Sequence, residues 1–198
     1  MERRAELSRK TTETSISVAV NIDGSGVYDI ETGVGFFDHM LELFTRHGMF
    51  NLTLTCDGDL HIDAHHSVED AGIVLGKAIA SALGDKKGIN RFGTAFVPMD
   101  EALCQVSLDV SGRPFLVYNA PPMQEKLGAF DAELVEEFLR ALAVNAGLTL
   151  HVLVHYGTNA HHMIEGVFKA LGRACRQAFE PDTRANGQIP STKGTLEL

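Results

Sequence analysis

The stretch AHHSVEDAGIVLGKA, residues 64–78, returns as AHHMIEGVFKALGRA, residues 160–174, at an offset of 96. Seven of the 15 positions are identical, including both histidines and the glutamate, where about one match follows from average residue usage. The offset extends upstream, setting Leu52-Thr53-Leu54 against Leu148-Thr149-Leu150. Such a period is far too long for a solenoid repeat. It constrains the 198-residue chain to two similar halves.

The order of elements supports this. ISVAVNIDGSG (16–26) and CQVSLDVSGRP (104–114), at an offset of 88, both alternate apolar and polar residues and then turn at a glycine. Each reads as part of a hairpin. A helix follows in each half, with Asp38 and Asp131 as expected N-caps and Gly48 and Gly147 just past the ends. A further helix begins near His65, where Val68, Ala71, Gly72, Leu75, Ile79 and Ala82 share one face. The pattern predicts a duplicated α/β (α+β) fold. Its parts are a first half-domain at 1–90, a second at 91–180, and a tail at 181–198 containing proline and glycine.

The net charge of −9, without a basic run, argues against nucleic acid as a partner. No apolar run approaches the ~20 residues of a membrane span. MERRAELSRK at the start lacks the apolar core of a signal peptide. Three separated cysteines, Cys56, Cys104 and Cys175, suit a reduced, cytoplasmic setting and read as buried small hydrophobes.

The duplicated polar residues carry the chemistry. His65 and Glu69, like His161 and Glu165, lie four apart and stack on one helix side. His66 and His162 each project about 100° away. An imidazole and a carboxylate so placed can grip one Mn, Fe, Ni or Zn ion, while the adjacent histidine reaches another. His39 is a further candidate ligand. A lone pair of histidines is more often a helix start bonded to backbone. Had fold stability alone been selected, the apolar positions would match best, yet here the polar ones do. His66-x-x-Glu69 is followed by Asp70, so the inverted zinc-protease signature fails, and Gly33-x-Gly35 lacks the third glycine of a dinucleotide fingerprint.

The segments GFFDHMLELFTRHGMF, GDLHIDAHHSVEDAGIVLG, PMDEAL, GRP, TLHVLVHYGTNAHHMIEGVFKALGR and PSTKG together resemble the imidazoleglycerol-phosphate dehydratases, in the right order along nearly the whole chain. The resemblance implies a monofunctional hydro-lyase of histidine biosynthesis, using about two Mn²⁺ per subunit. It would dehydrate a small phosphorylated imidazole, imidazole glycerol phosphate. It also implies two four-stranded sheets with two helices per half packed between them. The homo-oligomer would be a 24-mer built from trimers, with sites between subunits.

Carried over by motif, the metal ligands would be His39, His65, His66, Glu69, His161, His162 and Glu165, with Glu137 standing where plant and fungal relatives carry a histidine. A water or Glu136 is the alternative filler of that place. Glu165 and Glu13 would handle protons. Glu13, His47, Arg91, Arg113, Lys169, Ser191 and Lys193 would bind substrate, the cations and Ser191 holding its phosphate. His151 and His155, on an alternating strand, read as packing residues. Two rival readings of the histidine pairs are a dinuclear hydrolase, in which metals activate water, and a metal-storage shell.

Overall fold

A computed structural model describes residues 3–196. The first half runs β1 (Arg4–Lys10), β2 (Thr14–Asn21), β3 (Tyr28–Glu31), α1 (Gly35–Gly48), β4 (Asn51–Gly58), α2 (His65–Leu83). The second runs β5 (Phe92–Met99), β6 (Ala102–Asp109), β7 (Phe115–Asn119), a short β8 (Lys126–Leu127) and β9 (Phe130–Asp131) ribbon, α3 (Leu134–Ala146), β10 (Thr149–Tyr156), α4 (Ala160–Phe179). Two four-stranded sheets have matching orders, β1-β2-β4-β3 and β5-β6-β10-β7. In each, three strands are antiparallel and the short edge strand is parallel to its neighbour. None of the described helices is long and apolar enough to cross a membrane.

The helices lie between the sheets, as the resemblance implied. α2 covers the first sheet and α4 the second, while α1 packs on α4 and α3 on α2. The halves are thus interleaved over one continuous apolar core. Two duplicated glycines set the helix spacing. A Cβ on Gly172 would lie 2.4 Å from the Phe44 carbonyl oxygen of α1, and one on Gly76 would lie 2.8 Å from the Leu142 carbonyl oxygen of α3. Only glycine permits such close backbone approach.

Burial and strand pairing refine the internal alignment. Ile16, Val18 and Val20 match Cys104, Val106 and Leu108 in burial at offset 88. From α1 to β4 the offset is 98. Phe37, Met40, Leu41, Phe44, Thr45 and Gly48 match Val135, Phe138, Leu139, Leu142, Ala143 and Ala146, all buried. Leu54 lies opposite Val18 and Val152 opposite Val106. The ten-residue increase coincides with the β8–β9 insertion, and the return to 96 in α2 and α4 reflects a shorter connection after β10. The upstream match of Leu52 to Leu148 is therefore two residues out of register: Leu52 corresponds to Leu150.

Four local expectations also need correction. β2 does not fold back on β3, nor β6 on β7. Each is central, and the following strand crosses to the far edge to pair with β4 or β10. Alternation identifies a strand but not its partner. Asn51 shows what directs the crossing, its side-chain oxygen accepting from the amides of Ser25 and Val27. Asp38 lies inside α1, which begins at Gly35 after Val34, and its carboxylate accepts from the Thr32 amide at 2.8 Å. Asp131 belongs to β9 and pairs with Lys126 at 2.9 Å, while α3 starts at Leu134. Gly48 closes α1, and Met49 takes the left-handed position after it, whereas Gly147 does terminate α3 as expected.

Candidate active site

His39, His161 and Glu165 come together where α1 meets the start of α4, with one donor atom from each within 4.8 Å of the others. His161 Nε2 is 3.0 Å from Glu165 Oε2, and His39 Nε2 is 3.9 Å from the same oxygen. The α4 turn is built for this. The Asn159 side chain accepts from the His161 and His162 amides, and Phe36 stands edge-on to the His161 ring. Glu165 is only 7% exposed. Burial alone would raise its carboxyl, but Lys169 at 2.6 Å and His161 outweigh that, and it lies below its usual value.

The first half repeats the set less tightly. His65 Nε2 is 3.9 Å from Glu69 Oε2, and Asp63 bonds the His65 amide as Asn159 bonds that of His161. The 98-residue correspondence makes Glu137 on α3 the counterpart of His39 on α1. The two helix pairs agree, since α3 packs on α2 as α1 packs on α4. Among the described residues Glu137 joins no group of three possible ligands at binding distance. The alternative, Glu136, is engaged with Arg140 on the helix surface.

The second histidine of each pair faces elsewhere and is oriented by a carboxylate. His66 Nδ1 donates to Asp59 at 2.9 Å, and His162 Nδ1 donates to Glu101 at 2.7 Å. Both imidazoles are held above their usual pKa, chiefly by these bonds. Glu101, which also accepts from the Thr158 and Asn159 amides, is lowered to about 2, His162 being the largest cause. In each ring Nε2 is left for another partner, the arrangement in which a carboxylate fixes the tautomer of a ligating histidine. Glu13, in the β1–β2 turn, brings a carboxylate oxygen to 3.9 Å from His66 Nε2, as Asp100 does to 3.8 Å from His162 Nε2.

Asp59 and Glu101 are absent from the residues read out of the sequence. Glu101 was findable, because it is Glu13 advanced by the 88-residue strand offset. Asp59 precedes its histidine by seven residues in a loop and gives no such signal.

The expected phosphate contacts fall in two places. Lys169 lies beside Glu165 and Met99. His47 is on α1, lowered by burial and then by Lys169 and Arg173. Arg91 grips Asp109 with two nitrogens and donates to the Pro190 carbonyl at 2.7 Å. Arg113 approaches the same Asp109 at 3.9 Å. Pro190 leads into a turn where the Ser191 hydroxyl accepts from the Lys193 amide. The tail is anchored, since Lys86 bonds the Leu196 carbonyl and Leu196 is buried. Arg91 precedes β5 and Met99 ends it, so Lys169 and the Arg91 group lie at opposite ends of a strand ~25 Å long, with His47 beside its middle at Thr94, Ala95 and Phe96. His151 and His155 lie on the outer face of the second sheet, His155 bonded to Gln105 and stacked on Phe96.

A duplicated α/β frame with imidazoles and carboxylates repeated on its helix layer is a candidate site for metal-dependent or acid–base enzyme chemistry. The comparisons identify which. The family model for imidazoleglycerol-phosphate dehydratase matches residues 32–175. The chain is 61% identical over 196 residues to an imidazoleglycerol-phosphate dehydratase of Acetivibrio thermocellus, covering 99% of this chain and 100% of that one. It is 60% identical over 195 residues to one of Clostridium acetobutylicum, covering 98% of each. The crystal structure of the Staphylococcus aureus enzyme superposes with a TM-score of 0.82 at 43% identity, over 90% of this chain and 99% of that one. That of the Pyrococcus furiosus enzyme, in complex with (S)-C348, gives 0.82 at 34% identity, over 96% and 99%. The chain belongs to the imidazoleglycerol-phosphate dehydratase family of hydro-lyases.

Proposed function

We propose that this protein dehydrates imidazole glycerol phosphate to imidazole acetol phosphate in histidine biosynthesis, with two divalent transition-metal ions per chain, Mn²⁺ first among them. The observation that carries the metal reading is the triad of His39, His161 and Glu165, a donor set of two neutral imidazoles and a carboxylate that suits such ions. By the internal correspondence, His65, Glu69 and Glu137 would be the matching ligands in the other half. Bound ions would supply Lewis acidity and a template that makes the substrate imidazole an electron sink.

The chain's own residues do the rest. Glu165, ionised and locked by Lys169 and His161, is a ligand and a charge holder. Glu13 stands 3.9 Å from His66 Nε2, and the family resemblance gives it a proton transfer, so it is the carboxylate assigned to exchange a proton with substrate. It removes the proton from the second carbon of the chain. The hydroxyl on the carbon beside the ring leaves with one proton as water, so no acid or base is consumed overall, and the enol left behind takes a proton on the carbon beside the ring and becomes the ketone at the second carbon.

The separation of the cations argues that one chain does not complete a site. Lys169 stands by the triad, whereas Arg91, Arg113, Ser191 and Lys193 gather at the other end of β5, ~25 Å along the strand and beyond the reach of one phosphate. His66 and His162 likewise turn Nε2 away from their own sets. A neighbouring copy supplies both deficits, which is the reading for a homo-oligomer with sites between subunits, a 24-mer built from trimers by the family resemblance. The tail at 181–198, following half-domains at 1–90 and 91–180, is then part of the phosphate site. The setting is cytoplasmic, and neither nucleic acid nor membrane is a partner.

Incubation of the Mn²⁺-loaded protein with imidazole glycerol phosphate tests the reading. Imidazole acetol phosphate without phosphate release is expected. Phosphate release would identify the hydrolase, and no reaction would leave a storage protein.

A further inference from the structure

Asp70 follows Glu69 on α2 and is 6% exposed. A buried carboxylate is costly unless it is paired and hydrogen-bonded. Asp70 Oδ2 accepts from both the Arg9 guanidinium and the Thr14 hydroxyl. Arg9 is the penultimate residue of β1 and Thr14 opens β2. Between them the Thr11 hydroxyl accepts from the Glu13 and Thr14 amides at 3.1 and 3.0 Å. The turn bearing Glu13 is therefore braced internally and clamped to the helix that carries His65, His66 and Glu69.

The second half shows what the clamp is not needed for. By the internal offsets Gly166 stands at the place of Asp70 and Ala102 at that of Thr14. A Cβ on Gly166 would meet Cys104 Sγ at 2.8 Å, so the β5–β6 turn is held there by close apolar packing. Its carboxylate, Glu101, is saturated by two backbone amides and His162. The fold thus holds a hairpin on a helix without an ion pair. In the first half a buried polar clamp appears instead, beside a turn whose carboxylate at the matching position, Glu13, is immobilised by no hydrogen bond among the described residues.

We propose that Asp70, through Arg9 and Thr14, is a positioning residue for the dehydration. It sets the height of the β1–β2 turn over α2 and thereby places the Glu13 carboxylate at the reacting carbon. This rests on Glu13 exchanging the substrate proton. Misplacement of a reacting group by about 1 Å costs on the order of 100-fold in rate, so loosening the clamp acts on turnover more than on binding.

The test is a kinetic cycle on the full-length Mn²⁺-loaded protein. Thr14→Val removes one arm of the clamp at nearly constant volume, Thr14→Ser restores it, and Asp70→Asn weakens both arms. Each is measured alone and in a Glu13→Gln background, with metal content and oligomer size followed in parallel. Thr14→Val is expected to lower kcat at least tenfold with KM changed less than threefold and metal content intact. Thr14→Ser should recover most of the loss. With Glu13→Gln present, itself strongly impaired, Thr14→Val should add nothing. Full additivity with Glu13→Gln would overturn the positioning role while leaving Glu13 in place. A lowered Tm with unchanged kcat would show a purely structural clamp and overturn it too. Wild-type kcat for Glu13→Gln alone would remove Glu13 from the mechanism, and the clamp's role with it.

Discussion

Gly172→Ala links helix packing to the His39, His161 and Glu165 set. The added Cβ would lie 2.4 Å from the Phe44 carbonyl oxygen and 2.9 Å from the Gly48 nitrogen. Relief to an ordinary 3.4 Å contact needs α1 and α4 to part by ~1 Å. Both obstructing atoms are helix backbone, so no side chain can simply turn aside. Overpacking of this kind costs about 1–3 kcal/mol. Alanine returns up to ~1 kcal/mol of helix propensity over glycine. The net loss, roughly 0–2 kcal/mol, corresponds to a Tm lower by up to ~8 °C in a chain of this size. His39 reaches the set from α1, while His161 and Glu165 sit on α4. Metal–ligand bonds tolerate only about 0.2 Å, so a 1 Å separation should weaken Mn²⁺ binding at least tenfold. Calorimetry of the metal-stripped variant gives the first number and competition against a chelator the second. An unchanged or higher Tm with wild-type Mn²⁺ affinity would refute the close-packing argument.

Three further outcomes are expected. His161→Ala should reduce bound Mn²⁺ by about one ion per chain in elemental analysis, with the His65/Glu69 set still loaded; an unchanged ion count would dissolve the triad. His66 and His162 are held above the usual imidazole pKa, first by Asp59 and Glu101. Their protonated pairs therefore stabilise the metal-free protein fully below about pH 6.5 and cease to do so as pH rises through the folded values. The Tm of stripped protein should fall over that window, less in high salt, and Asp59→Asn should flatten part of the change. Lys193→Ala should raise KM for the phosphorylated substrate without altering metal content, and unchanged steady-state kinetics would return the tail to a structural role.

The duplication was legible because the polar residues matched at one spacing, and the helix face from Val68 to Ala82 was legible because its apolar period is strong. What failed was anything set by distant partners. Nothing in the alternation of 16–26 says that β4 will insert beside β2. Asp38 and Asp131 look like helix caps, but α1 starts earlier and α3 later, and their carboxylates bind Thr32 and Lys126 instead. The correspondence of His39 with Glu137 was hidden by the ten-residue insertion around β8 and β9 and became visible only through burial. Asp59 escaped because a loop residue carries no periodicity. Arg91 also holds Asp109 and the Pro190 carbonyl through three of its donors, contacts that a lone arginine in sequence does not disclose.

The central claim is a dehydratase with two quasi-equivalent His/Glu metal sets per chain. Titration of metal-stripped protein with Mn²⁺, while formation of imidazole acetol phosphate is followed, tests it most directly. Activity should be absent at the start and should rise until about two equivalents per chain are bound. Full turnover before any metal is added, or saturation at a single equivalent, would contradict it.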